Sequence, residues 1–410
     1  MPHNQVPQRT EREVALKRSA RSFIVLMGIV SLFGDMTYEG AYGLVGPYLA
    51  LLGASATAVG FAAGFGEFLG YALRLATGWL SDRTRAYWPL VIVGYSVNLI
   101  AIPGLAFVGH WQLAVALLFL ERIGKAVRSP ARSTLVSYAA TEAGIGRSFG
   151  LEEALDQVGA VTGPLLTALV IWGMRDEPVL SGYQMAFFLL IVPALLNVAF
   201  VLTARRRYPS PEAFEQSKHH EHAHLGNAFH LYMGAAMLLG LGFADWALLT
   251  FHASRHDLLA PSMFPILYAA AMAVDAIAAL IAGTLFDRHG LYVLAATTLI
   301  SAFSAPWIFL VPSPWTLCIG AVCWAIGMGA QDSIFKAALV QLVPKDKRGN
   351  AYGVFFALFG LVWWMGSAAM GALYDHSIVA LVAFSTITQL AAVPIFLVLA
   401  RRLRHGHLKA

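Results

Sequence analysis

Charge is scarce in this chain. Asp, Glu, Lys and Arg make up 12% of its 410 residues, where a soluble domain carries roughly 25%. Apolar residues reach 58% and mean hydropathy is +0.65. Those values exclude a pair of soluble domains, so lipid is the solvent for most of the chain. Cysteine is nearly missing as well. Cys318 and Cys323 lie five apart on one apolar run and face different directions, so no disulfide framework is available. No Gly-rich nucleotide loop, nucleophile elbow or HExxH pattern occurs, which argues against an enzyme. No cleavable secretory signal is evident either. Residues 22–33 are apolar after a basic stretch, but no small-residue cleavage site follows.

What the chain does have is membrane-length apolar runs. A spanning helix takes about 20 residues, and twelve fit the length. Expected spans begin near residues 22, 58, 87, 112, 148, 184, 228, 262, 291, 315, 350 and 378. The fold class expected is therefore all-α and integral to the membrane, with twelve transmembrane helices in two pseudo-symmetric six-helix halves. Residues 1–204 form the first bundle with its N-tail, and 228–410 the second with its C-tail. Residues 205–227 form a linker with Arg205-Arg206-Arg207, two prolines and a His-rich stretch.

Net charge is +5, which on a soluble protein would suggest nucleic acid. The positions argue against that partner. All but Arg175 and Arg255 of the 28 Lys and Arg fall at or toward one membrane face. This bias places both termini in the cytoplasm, the protein in the cytoplasmic (inner) membrane, and its basic residues near anionic lipid.

The chain also repeats. Gly78-Trp79-Leu80-Ser81-Asp82-Arg83 recurs as Gly283-Thr284-Leu285-Phe286-Asp287-Arg288, 205 residues on. Arg128, Arg132 and Leu135-Val136 fall 204 residues before Asp332, Lys336 and Leu339-Val340. Phe33-Gly34-Asp35 has a weaker echo in Phe243-Ala244-Asp245. Two similar halves full of membrane-length segments mark a secondary transporter. The doubled motif resembles the signature loop of the major facilitator superfamily, roughly G-x-L-x-D-R-x-G-R-[KR]. The second copy keeps the final glycine as Gly290; the first has Arg85 there, with Ala86-Tyr87 in place of the basic pair. The resemblance implies that Gly78, Asp82, Arg83, Gly283, Asp287 and Arg288 form a conformational latch, engaged when the transporter faces outward. Arg128, Arg132, Asp332 and Lys336 read as an inner gate or as interfacial anchors. Glu121-Arg122-Ile123-Gly124-Lys125 resembles the family's R-x-x-x-G type motif, with different glycine spacing. Gly159-Ala-Val-Thr-Gly163-Pro164 resembles its exporter motif in part, with Thr167-Ala168 where the last glycines stand.

Carboxylates inside the spans are the sharpest functional signal. Each costs about 2.5–3.5 kcal/mol at a helix centre, so it is rarely retained idly. Asp35 and Glu39 are one turn apart in the first span, with Glu67 in the second, Asp245 in the seventh and Asp275 in the eighth. They are the candidates for proton or cation coupling. The family fold implies that Asp35, Glu39, Arg122, Asp245 and Gln331 reach a central cavity. Tyr38, Tyr42, Asp156, Phe335 and Trp363 join the expected lining, with Phe355 and Trp364 as further aromatic walls. Arg122 either holds a substrate anion or pairs with Glu67, Glu121 or Asp156; both readings stay open.

His219, His220, His222 and His224 in the linker have metal-ligand side chains, but no fixed tetrahedral spacing. They read as a solvated stretch. His252 is a further weak ligand candidate near the outer mouth, and no resident metal is expected. The leading expectation is an alternating-access secondary transporter, proton-coupled, exporting a small organic or amphipathic substrate by antiport. Its rivals are a divalent-metal transporter, a proton symporter importing a small solute, and a transport-silent membrane sensor. No cofactor beyond an ion gradient is expected, and a monomer suffices.

Overall fold

The computed structural model describes residues 6–143, 145–210, 227–342 and 348–404, without the side chains of 6–15, 140–150, 227, 336, 340–341 and 348–352. Every regular element described is a helix. The first half contains α1 (Val6–Leu51), α2 (Ala56–Thr84), α3 (Tyr87–Gly104), α4 (Trp111–Ala143), α5 (Ile145–Gly173), α6 (Val179–Leu189) and α7 (Ile191–Arg207). The second contains α8 (Asn227–Gly242), α9 (Trp246–Arg255), α10 (Met263–His289), α11 (Tyr292–Ser301), α12 (Pro314–Leu342), α13 (Arg348–His376) and α14 (Ile378–Arg404). α6 with α7, and α8 with α9, are two pieces of single crossings, so the two halves contribute six crossings each. Among the described residues, eleven crossings are long and apolar enough to span a membrane. The twelfth, α4, falls short because Glu121, Arg122, Lys125, Arg128 and Arg132 lie along it. The first helix extends ahead of its membrane-length part: α1 runs from Val6, and the span itself is Leu16–Leu51. Linker residues 211–226, with all four of its histidines, lie outside the described residues.

Two breaks matter for the site. α8 stops at Gly242 and α9 restarts after Asp245, in mid-membrane. A broken helix strands carbonyls in lipid unless protein satisfies them. Here the Gly242 carbonyl accepts from Ser385 Oγ at 2.6 Å and Gln389 Nε2 at 3.0 Å. The Ala244 carbonyl accepts from Trp324 Nε1 at 2.8 Å. The break thereby sets Asp245 at the N-terminus of α9. Its sequence echo, Asp35, sits in the unbroken α1.

The halves meet along α2 with α13, α5 with α10, and α1 with α9 and α10. Glycines allow the approach. A Cβ on Gly60 would lie 2.4 Å from the Ser367 carbonyl, and one on Gly64 2.6 Å from Ser367 Cβ. A Cβ on Gly46 would sit 2.2 Å from Thr250 Oγ1 and 2.3 Å from the Ala247 carbonyl. These contacts close the face opposite the chain termini. Asp375, near the end of α13, completes that closure by capping α2. Its carboxylate accepts from the Thr57 amide at 2.9 Å, Thr57 Oγ1 at 2.6 Å and the Ala56 amide at 3.3 Å. A carboxylate is well placed there, because the first amides of a helix are unpaired and partly positive.

At the terminal face, Arg85 ends α2 in the left-handed region, φ 52° and ψ 22°, with its amide bonded to the Ser81 carbonyl at 2.8 Å. The matching Gly290 is also at positive φ, 61°. A side chain in that conformation costs about 1 kcal/mol or more. Arg85→Gly is therefore expected to raise thermal stability in detergent, with Arg85→Ala unchanged or lower.

Candidate substrate cavity

A cavity of about 610 Å³ lies between the halves, running from mid-depth toward the terminal face, where Leu75, Glu153 and Gly353 line it. All five coupling candidates border it: Asp35, Glu39, Glu67, Asp245 and Asp275. So do Tyr38, Tyr42, Arg122, Asp156, Gln331, Phe335 and Trp363. Periodicity alone never required these residues, from eight different crossings, to converge. Two expected aromatic walls are displaced. Phe355 is fully buried among Tyr232, Phe335 and Phe359, and Trp364 packs on Phe61, Phe65 and Phe68. Lining the cavity are eight carboxylates, with Glu153 and Asp332 besides those named, against three cations, Arg74, Arg122 and Lys125.

Two carboxylates tie one half to the other. Glu39, on α1, accepts a short hydrogen bond from the Tyr268 hydroxyl on α10. Asp245, in the second half, accepts from the Tyr42 hydroxyl on α1 at 3.2 Å. Its other oxygen takes Ser367 Oγ at 2.5 Å and Trp363 Nε1 at 3.0 Å. Hydrogen bonds to ionised groups are the stronger class. Both links are strongest while the carboxylates are ionised, so adding a proton to either changes how tightly the halves are held. Among the described residues no hydrogen bond or ion pair engages Asp35. Its charged neighbours are Asp156, Lys125, Glu39 and Arg128.

The cations are mostly committed. Arg122 pairs with Glu67 at 2.9 Å and Glu121 at 3.5 Å and lies over the Tyr42 ring at 5.2 Å. Arg132 takes Glu152 at 2.5 Å and lies 3.7 Å from Asp156, tying α4 to α5. Arg128 is buried over the Tyr95 ring at 4.4 Å. These contacts keep Arg128 and Arg132 inside the first half, so neither bridges the halves in this state. Lys125 sits 3.7 Å over the Tyr38 ring. Removing one partner of a buried pair costs about 3–5 kcal/mol. Arg122→Leu should therefore lower the melting temperature of the detergent-solubilised protein well beyond Arg122→Lys; equal melting of both would refute a structural pair.

In the second half, Asp275 is buried and its Oδ1 has no hydrogen-bond partner among the described residues. Gln331 donates Nε2 to the Gly327 carbonyl at 3.1 Å. Among the described residues no three His, Cys, Asp or Glu side chains group to hold an ion. His252 is buried, with Nδ1 2.9 Å from the Tyr374 hydroxyl.

The sequence profile of the Major Facilitator Superfamily matches residues 24–253 and 225–409. The chain belongs to that superfamily. It is 40% identical over 377 residues to an uncharacterised protein of Mycobacterium tuberculosis, covering 89% of each chain. It is 39% identical over 94 residues to a multidrug resistance protein of Proteus mirabilis, 23% of each. Its fold is similar to that of a POT family transporter crystallised with 5-aminolevulinic acid. The TM-score is 0.71 at 14% identity, covering 93% of this chain and 96% of that one. As a superfamily member it is a multi-pass membrane transporter and not an enzyme.

The superfamily's signature loops fall at the terminal face. Asp82, Arg83, Asp287 and Arg288 are exposed there. Arg83 stacks over Trp79 at 5.1 Å, and no hydrogen bond or ion pair engages Asp82 or Asp287 among the described residues. A Cβ on Gly78 would lie 3.7 Å from Pro130 and one on Gly283 3.6 Å from Ser333, both ordinary contact distances. Asp332 is exposed and lines the cavity, and the Lys336 side chain lies outside the described residues. Gly159 and Gly163, from the exporter-like motif, let α5 lie directly on α1. A Cβ on either would come 2.3 Å from the Leu32 or Met36 carbonyl, behind Asp35 and Glu39. Sequence reasoning passed over Tyr268 and Asp375. A tyrosine in a span is cheap, and an Asp beside a helix end looks like ordinary surface.

Proposed function

We propose that this transporter is a proton-coupled antiporter that expels an amphipathic organic cation. The observation that carries the reading is the pair of inter-half links, Glu39 with Tyr268 and Asp245 with Tyr42, in an acid-rich cavity. A carboxylate that holds a cation gives up its proton, and one that is protonated holds the cation weakly. Mutual exclusion at shared carboxylates is what exchange requires. Protonation also changes the inter-half links, which biases the two orientations of the cavity. Tyr38, Tyr42, Tyr268, Trp324, Phe359 and Trp363 supply π faces that suit a cation with apolar bulk. The multidrug resistance relative and the exporter-like packing of α5 on α1 support the outward direction. The excess of Lys and Arg at the terminal face supports a cytoplasmic assignment for it, in the inner membrane. One chain completes the cavity, so a monomer suffices.

Proteoliposomes with an internal pH dye test this. Under an imposed proton gradient, a panel of organic cations, organic anions, neutral solutes and divalent metals is added. Expected is proton movement coupled to the organic cations alone. Metal-linked flux would move the assignment to metal transport, co-directional flux to symport, and binding without flux to a sensor.

A further inference from the structure

Away from the cavity, Lys17, Arg18, Arg21, Ser22 and Val25 line a groove of about 640 Å³ on the outside of α1. Their spacing places them on one helix face, with three cations above and an apolar residue a turn deeper. All five are exposed. α7 repeats the arrangement: Arg205, Arg206 and Arg207 are exposed in its last turn, and Leu202, a turn deeper, is exposed too. The two helices are joined at this level. Tyr208, directly after Arg207, packs edge-on to Phe23 with ring centroids 5.1 Å apart, and its carbonyl accepts from Trp88 Nε1 at 3.1 Å. Phe23, two residues from Arg21, points to the buried side of α1, so α7 packs behind the groove rather than lining it. Lys17, Arg18 and Arg21 therefore hold this corner of the terminal face, and among the described residues no carboxylate forms an ion pair with any of them.

We propose that this corner binds an anionic diacyl phospholipid from the leaflet at the terminal face. Arg18 and Arg21 present planar forks that match a phosphodiester, and Lys17 adds a point charge. The acyl chains descend past Val25. Cations dispersed only for orientation would lack both the clustering and the apolar floor. The site does not depend on which substrate the cavity takes.

Native mass spectrometry of the full chain in neutral detergent tests it, with phosphatidylglycerol, phosphatidylcholine and soluble glycerol phosphate as probes. Wild type should retain phosphatidylglycerol at least tenfold better than phosphatidylcholine. The double variant Arg18→Gln/Arg21→Gln should lose that preference. Arg402→Gln/Arg404→Gln, with the same charge change on α14, should keep it, and Arg21→Lys should lose less than Arg21→Gln. Equal retention of the two lipids, or equal loss in both double variants, would overturn the site. So would glycerol phosphate binding as tightly as the whole lipid, because the acyl floor would then contribute nothing. Unchanged melting temperatures of these exposed-residue variants distinguish lost binding from misfolding.

Discussion

Glu39→Gln should lower proton-linked export by at least roughly tenfold while leaving the protein folded. The glutamine keeps size and an acceptor oxygen, so the Tyr268 hydroxyl still has a partner. What it loses is the charge, and with it the ability to exchange a proton for a cation. A hydrogen bond to a charged group contributes about 1.5–3 kcal/mol, enough for a tenfold or larger change in how the halves are balanced. Tyr268→Phe removes the link and keeps the titratable group, so it should slow turnover while proton exchange persists. The split between the two variants is the informative readout, measured as dye-reported proton flux against substrate efflux in the same vesicles. Equal flux in Glu39→Gln and wild type would remove Glu39 from coupling.

A second large effect is expected at Gly46. Any Cβ there meets Thr250 Oγ1, the Ala247 carbonyl and the Phe251 amide between 2.2 and 2.8 Å, and two of those atoms are backbone. Overpacking of this kind costs about 1–3 kcal/mol. The cost falls on the state described here, closed at the far face with α1 pressed on α9. Gly46→Ala should shift the population toward a far-open form by roughly tenfold. Spin labels at Leu51→Cys and Val379→Cys, with Cys318 and Cys323 replaced by Ser, should report a longer far-face distance. Both label positions are exposed, 46% and 69%. Asp375→Ala, which uncaps α2, should move the same distance in the same direction by less. An unchanged distance distribution in Gly46→Ala would show that this contact does not hold the far face closed.

Much of the fold was legible because lipid is an unforgiving solvent. Long apolar runs can only be crossings, and a charge within one stands out against its cost. That is why Asp35, Glu39, Glu67, Asp245 and Asp275 stood out as candidates, all of which border the cavity, and why α4 was recognised despite its charges. The doubled Gly-x-Leu-x-Asp-Arg motif fixed the two halves and their register. Facing was not legible. Arg122 resolved onto Glu67 and Glu121 rather than Asp156, which lies beside Arg132 instead. Nor was the breaking of α8 from α9 at the echo of Asp35 visible, since Gly242 reads as one more small residue in a glycine-rich span. Gly60 and Gly64 read as plain packing residues, whereas they allow the two halves to touch. Contacts between halves depend on the state of the molecule, which no local pattern encodes.

Competition between a proton and a cation for the cavity carboxylates is the central claim. Its most direct test is calorimetric titration of the purified protein with tetraphenylphosphonium, in buffers of different ionisation enthalpy. That cation carries a permanent charge, so any proton released comes from the protein. Release of roughly one proton per cation bound is expected, with affinity rising as pH rises through the titration of the carboxylates. Binding with no proton release and the same affinity across that range would contradict the exchange mechanism.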